Sequence, residues 1–270
     1  MLSDTHLYYR WYKQTVEPPS NDFVIAISAS GKSSMSRTGK TSLETYLAEN
    51  LDRSESGFDA EEKATLDAGE LAYDIVPDVE QHSAVCLEEA QGSPGTVGLD
   101  SRRGMVQEVI DAVSSILNNG DQQLTVIITA QHLPMLDKRL PPIIDAWLLI
   151  RHGPSSPQGP RAIHHGMHVE DYNFGSPRIK TPAYEEFAWP RVVHSNKNYR
   201  ILEEKKQEAK QRPDGDEEDG GLPDGAQIKL AAKLRRIGLT WQEIADEDGM
   251  EYSREWYRQR VDDDVAEATG

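Results

Sequence analysis

The chain has a single cysteine, Cys86, so no intrachain disulfide can form. Cys86 sits in an apolar run, where a free thiol usually serves as a small core residue. No apolar run reaches the roughly 18 residues that would cross a bilayer. The first residues, Met1 to His6, lack the basic-then-apolar layout of a signal peptide. The expectation is a cytoplasmic protein with no membrane insertion. Positive charge is also scarce: 29 Lys and Arg stand against 46 Asp and Glu, a formal net charge of −17. Such a surface repels nucleic-acid phosphate unless basic groups are concentrated locally. It suits either a high-salt, halophilic cytoplasm, where carboxylates hold water and ions, or an acidic mesophilic enzyme.

The 270 residues are enough for one sizeable α/β core with a small appendage. Residues 1–21 read as an N-terminal arm in which Tyr8, Tyr9, Trp11 and Tyr12 cluster before Pro18-Pro19. Four apolar runs have strand length: Phe23 to Ile27, Ala84 to Leu87, Leu124 to Ile128 and Ala146 to Ile150. Near-continuous apolar runs are what strands of a parallel sheet, covered on both faces, look like. Ser42 to Leu51 and Met105 to Leu117 carry helical spacing between them. Alternating strands and helices predict a mostly parallel sheet with helices on both faces. Residues 151–203 carry Pro177, Pro182 and Pro190 and predict irregular structure with short edge strands. His164, His165 and His168 lie among no carboxylates at a tight ligand spacing, and surface positions are expected for them. The core domain is placed at 22–203, an acidic flexible linker at 204–225, a helical domain at 226–262 and a tail at 263–270.

Two overlapping phosphate-loop patterns follow the first strand. One ends in Gly31-Lys32-Ser33, the other in Gly39-Lys40-Thr41. Only the second runs straight into a helix, and phosphate binding needs the loop N–H groups and the helix N-terminus together. The predicted nucleotide-binding residues are therefore Ser36, Arg37, Thr38, Gly39, Lys40, Thr41 and Ser42. Lys40 is expected to reach the β- and γ-phosphates of ATP, and the Thr41 hydroxyl to ligand Mg²⁺. Ser34 stands where such loops usually begin with Gly.

The strand at Ala84 to Leu87 ends in Glu88-Glu89. Glu88 is the candidate to hold Mg²⁺ through water, although Asp is usual at that place, and Glu89 the candidate to polarise the attacking water. Gln131, at the end of the third strand, is placed to contact the γ-phosphate or orient water at the carboxyl edge of the sheet. Arg103 and Arg139 are the candidates for a cation supplied to phosphate, within one subunit or across to a neighbour.

Taken together, these residues resemble the HerA–FtsK superfamily of DNA-pumping ATPases, and more closely ATPases of haloarchaea and their pleomorphic viruses. The resemblance rests on Ser36 to Leu43, Leu87 to Gln91, Gly98 to Met105, Thr125 to Gln131, Leu136 to Arg139 and Ile144 to Leu149. It implies a RecA-like P-loop core that assembles as a ring, often a hexamer, and couples ATP hydrolysis to movement of DNA. It also implies that Glu89 activates water, that Gln131 is a strand-end sensor and that Arg103 or Arg139 is a trans-acting finger.

After the linker, Thr240-Trp241-Gln242-Glu243 has the form of a capping box, and the segment around it has a helix-turn-helix layout. Residues 226–260 hold seven basic and six acidic residues, a balance of +1 that leaves −18 for the rest of the chain. Arg254, Arg258 and Arg260 are the candidate DNA contacts. A protein–protein module fits the same layout. The leading expectation is thus an ATPase coupled to DNA translocation, packaging or processing. The alternatives are a nucleotide-gated DNA-binding regulator and a membrane-associated assembly ATPase acting on protein.

Overall fold

The computed structural model describes residues 1–29, 39–92, 98–99, 122–137, 139–170, 178–192, 194–211, 231, 235, 240–245, 254, 257, 258 and 261. The chain divides into two compact units, Met1–Pro213 and Asp214–Gly270.

The first unit is built on a seven-stranded sheet. Its strands are β1 (Phe23–Ala29), β2 (Ala64–Thr65), β3 (Ala84–Leu87), β4 (Thr125–Thr129), β5 (Ala146–His152), β6 (Arg161–Gly166) and β9 (Ala183–Ala188). A separate ribbon pairs β7 (His168–Glu170) with β8 (Arg178–Lys180). The order in the large sheet is β2–β3–β4–β1–β5–β6–β9. The pairs from β2 through β5 are all parallel. Strands β6 and β9 extend the sheet antiparallel beyond β5.

Strand alternation explains the uninterrupted apolar runs. On β1, Phe23, Ile25, Ile27 and Ala29 enter one buried cluster, while Val24 and Ala26 enter the other. Ala84 and Cys86 of β3 face the first cluster, and Val85 and Leu87 the second. A strand whose two faces are both covered has no polar face to show. Helices α1 (His6–Thr15) and α2 (Lys40–Leu51) supply the first cluster with Leu7, Trp11, Leu43, Leu47 and Leu51. A helical segment α4, with turns Ala68–Glu70, Leu71–Ile75 and Val76–Asp78, supplies the second with Leu71, Ile75 and Val76. This is a three-layer α/β arrangement, mostly parallel, consistent with a RecA-like core.

Within the N-terminal arm, His6–Thr15 form a helix that packs on the core. Thr5 caps α1 by accepting from the Tyr8 N–H, and Leu7, Trp11 and Thr15 lie on one buried face at four-residue spacing. The Trp11 indole donates to Thr125 at 2.8 Å, tying α1 to β4. The C-terminal side of the unit also differs from the sequence reading, which begins the linker at residue 204. Helix α5 (Lys197–Gln211) continues past that point and buries Ile201, Leu202, Lys206 and Ala209. It is fastened to α2 and to α3 (Ala60–Lys63). The Lys205 ammonium donates to the Glu61 and Ala64 carbonyls, and Asn198 donates to Glu49 and Phe58.

The predicted helix at Met105 to Leu117 lies outside the described residues. In the second unit, Trp241–Ala245 is helical and begins directly after Thr240. Ala231, Ile244, Tyr257 and Val261 are buried there, and the Arg235 guanidinium lies 5.2 Å from the Trp241 ring centre. Among the described residues, no helix is long and apolar enough to cross a membrane.

Candidate functional site

Strands β1, β3 and β4 run parallel, so their carboxyl ends open on the same edge of the sheet. In open α/β sheets that edge is where ligands bind. Helix α2 begins there. Its N-cap, Gly39, has φ +90°, a left-handed conformation that only glycine adopts without strain. A Cβ on Gly39 would collide with Cδ of Pro154, so close approach excludes a side chain as well. Lys40 and Thr41 are the first two helical residues, and both are buried. Burial pushes the Lys40 pKa down, against the pull of Glu88.

Glu88 follows β3 and is fully buried. Burial alone would raise its pKa, but the Lys206 charge, with hydrogen bonds from Glu44, Lys206 and Thr41, holds the carboxyl down to about 2. The Lys206 ammonium lies 2.6 Å from Glu88 Oε2 and also donates to the Thr41 hydroxyl. The Thr129 hydroxyl approaches the same Glu88 oxygen at 3.3 Å. Burial opposes the Lys206 charge, yet Glu88 keeps its pKa above the ordinary lysine value.

Glu44 lies one helical turn after Lys40 and is also fully buried. Among the described residues, none makes a hydrogen bond to either of its carboxyl oxygens. An ionised acid there would be costly. Burial first, and then the Glu88 charge, raise its pKa well above the carboxylate range. A protonated Glu44 gains an O–H to give to Glu88, which helps keep Glu88 ionised. Cys86 lies beside this pair. Burial raises its thiol pKa far enough that it stays neutral, as its place in an apolar run suggests.

Glu89 has φ +49° and is half-buried. Its N–H donates to the Thr129 hydroxyl at 2.9 Å, and the Ala90 N–H to the Thr129 carbonyl at 2.8 Å. These bonds fix the turn after β3 against the end of β4. Gln131 stands just beyond β4, and its N–H donates to the Gln91 side chain at 3.1 Å. Lys40, Thr41, Glu88, Glu89 and Gln131 therefore all belong to segments that start or end at one edge of the sheet.

Other predicted residues have different surroundings. Ser42 is buried, and its hydroxyl oxygen accepts from the Trp189 indole and the Val192 N–H, each at 3.3 Å. Arg139 makes a two-pronged pair with Asp137, at 2.7 Å through Nε and 3.1 Å through a terminal nitrogen. Ser36, Arg37, Thr38, Arg103 and Arg260 lie outside the described residues, whereas Arg254 and Arg258 are exposed in the second unit. His164 is not a surface residue. On β6 its ring turns inward beside Glu185, His6 and Tyr184, and only His168 of the three is fully exposed. Among the described residues, no group of three or more His, Cys, Asp or Glu is placed to hold a metal.

Sequence reasoning misses Glu44 and Lys206. Glu44 carries a signal, since it is an acid on a helix face bounded by Leu43 and Leu47. Lys206 carries one too: with Leu202 and Ala209 it forms a four-then-three spacing, with a lysine where an apolar residue is expected.

No family model and no curated protein sequence matches the chain. One similar solved structure is the N-terminal domain of zonular occludens toxin from Neisseria meningitidis. It shares 14% identity over 62% of this chain and 95% of that one, with a TM-score of 0.33. A likeness of that strength carries nothing about function.

Proposed function

We propose that this chain binds and hydrolyses ATP as a P-loop ATPase. The observation that carries the reading is the meeting of Lys40 and Thr41, at the start of α2, with Glu88 at the end of β3. The start of a helix presents unpaired N–H groups and a partial positive charge to an anion. Lys40 adds a full charge that a triphosphate would accept in exchange for the solvation lost on burial.

The donors fit a hard cation. A hydroxyl and a carboxylate oxygen converge on one position, and that position is already cationic in this structure, because the Lys206 ammonium occupies it. Mg²⁺ held by the Thr41 hydroxyl, and by Glu88 through water, would neutralise phosphate charge and polarise the γ-phosphoryl group. Glu89 is the residue we assign to accept the proton of the attacking water, and Gln131 the one to orient that water. The rigid turn around Thr129 supports both roles by fixing where their backbones stand.

The coupled process in this reading is translocation, packaging or processing of DNA by a ring of subunits. Its support is the resemblance to DNA-pumping ATPases, together with exposed Arg254 and Arg258 in a segment that escapes the acidic background. ATP turnover by size-fractionated protein, with and without long DNA, at low and multimolar KCl, tests assembly and chemistry together. Stimulation by DNA of unrelated sequences is expected. Slow turnover with tight binding to one operator would favour the nucleotide-gated regulator. Nucleotide binding and turnover that survive Lys40→Ala would sink the P-loop reading itself.

A further inference from the structure

Lys206 comes from a helix far along the chain, yet its ammonium enters the centre of the site. It contacts the same two groups, the Thr41 hydroxyl and Glu88 Oε2, that hold the metal in the proposed function. The Lys206 ammonium and a metal with its bound water cannot share that space, because each draws on the Thr41 hydroxyl and the Glu88 carboxylate and the two cations repel each other. The helix is well anchored. Lys205 donates to two carbonyls at 2.9 and 2.8 Å, and Asn198 both donates to Glu49 and accepts from the Ala60 N–H. The lysine side chain, with four rotatable bonds, is the part free to turn away while α5 stays docked.

We propose that Lys206 competes with the divalent metal: its ammonium holds the position between Thr41 and Glu88 until a metal–nucleotide complex displaces it. The inference rests on the P-loop reading. Lys206 stabilises the buried Glu88 charge while no metal is bound, and it sets how much metal is needed to load the site. It is thus a positioning residue for the proposed ATPase, one that links loading of the site to the surroundings of α5.

The test uses the full chain as wild type, Lys206→Met and Lys40→Ala. Binding of a non-hydrolysable ATP analogue is measured in EDTA, and Mn²⁺ binding in the presence of the analogue is followed by electron paramagnetic resonance. Lys206→Met is expected to bind Mn²⁺ at least about tenfold more tightly than wild type, since it removes a like charge at contact distance. Equal or weaker Mn²⁺ binding by Lys206→Met, with analogue binding intact in wild type and lost in Lys40→Ala, would overturn the Lys206 inference alone. Failure of wild type to bind analogue under either condition would overturn the P-loop reading and this inference with it.

Lys206→Met leaves Glu88 without its buried partner and risks misfolding, so a second measurement uses wild type only. Acetylation of lysines by an amine-reactive ester, read by mass spectrometry, should leave Lys206 protected in EDTA with analogue and label it once Mn²⁺ is added. Protection that does not change on adding Mn²⁺ to analogue-bound protein overturns the inference.

Discussion

The Lys206 ammonium lies 2.6 Å from Glu88 Oε2, and both side chains are buried. A buried pair of this kind gives little net stability over an apolar pair, but losing one partner strands the other charge. Glu88→Gln is therefore expected to lower unfolding free energy by about 3–5 kcal/mol, read from urea denaturation at neutral pH. The double variant Glu88→Gln with Lys206→Met should lose clearly less than the two single losses added together. Strict additivity would mean that the two side chains do not depend on each other.

Glu89 is expected to act on chemistry rather than on binding. Its backbone is fixed through Thr129, and its side chain is only half-buried, at the rim of the site. Glu89→Gln keeps the shape and removes the carboxylate proposed as the base. Turnover of ATP should fall by about 10²–10⁴, while affinity for an ATP analogue stays within roughly threefold. A variant that lost affinity and kept its turnover rate would show that Glu89 is not the base.

Much of the fold around the candidate site is legible in the amino-acid sequence, for a physical reason. The runs at Phe23, Ala84 and Ala146 are apolar at every position, and the one at Leu124 at all but Thr125, because layers cover both faces of the sheet, and a pattern so dense survives without knowledge of partners. The helix start at Gly39, Lys40 and Thr41 is legible because its pattern is local to one turn. Two other features depend on partners distant in sequence, and local pattern misleads there. Tyr8, Tyr9, Trp11 and Tyr12 read as part of an N-terminal arm until Glu185 on β9 accepts the His6 and Leu7 N–H groups at the start of α1. Lys206 looks like a solvated linker charge until Glu88 supplies its counter-charge. A sequence states that a charge exists; only the fold states what neutralises it.

His164 gives the protein a pH dependence of known sign. Burial lowers its pKa from 6.5 to about 4, against the pull of Glu185, whose Oε1 lies 3.4 Å from the ring; Arg10 and His6 lower it further. Between those two values the unfolded chain binds a proton that the folded chain refuses. The stability is therefore fully present above pH 6.5 and is lost as pH falls toward 4. The loss amounts to about 3 kcal/mol over that window. Urea midpoints measured from pH 7.5 to 4.5 should fall in wild type and fall distinctly less in His164→Leu. Parallel profiles would place the titrating group elsewhere.

Ser42 separates two roles that a phosphate-loop pattern merges. The residue after Thr41 is routinely counted with the loop, yet its hydroxyl accepts from the Trp189 indole and the Val192 N–H and lies inside the core. Ser42→Ala would leave the buried Trp189 indole and the part-buried Val192 N–H without this acceptor, at a cost of about 1–3 kcal/mol for such a buried group. Trp189→Phe removes one donor and should cost less, because the hydroxyl keeps its bond from Val192. The expected outcome for Ser42→Ala is a lower thermal midpoint, with affinity for an ATP analogue unchanged within roughly twofold when measured well below that midpoint. A Ser42→Ala variant of normal stability that bound analogue weakly would return Ser42 to the nucleotide site. The bond from Trp189 would then have to be secondary to a contact made only when nucleotide is present.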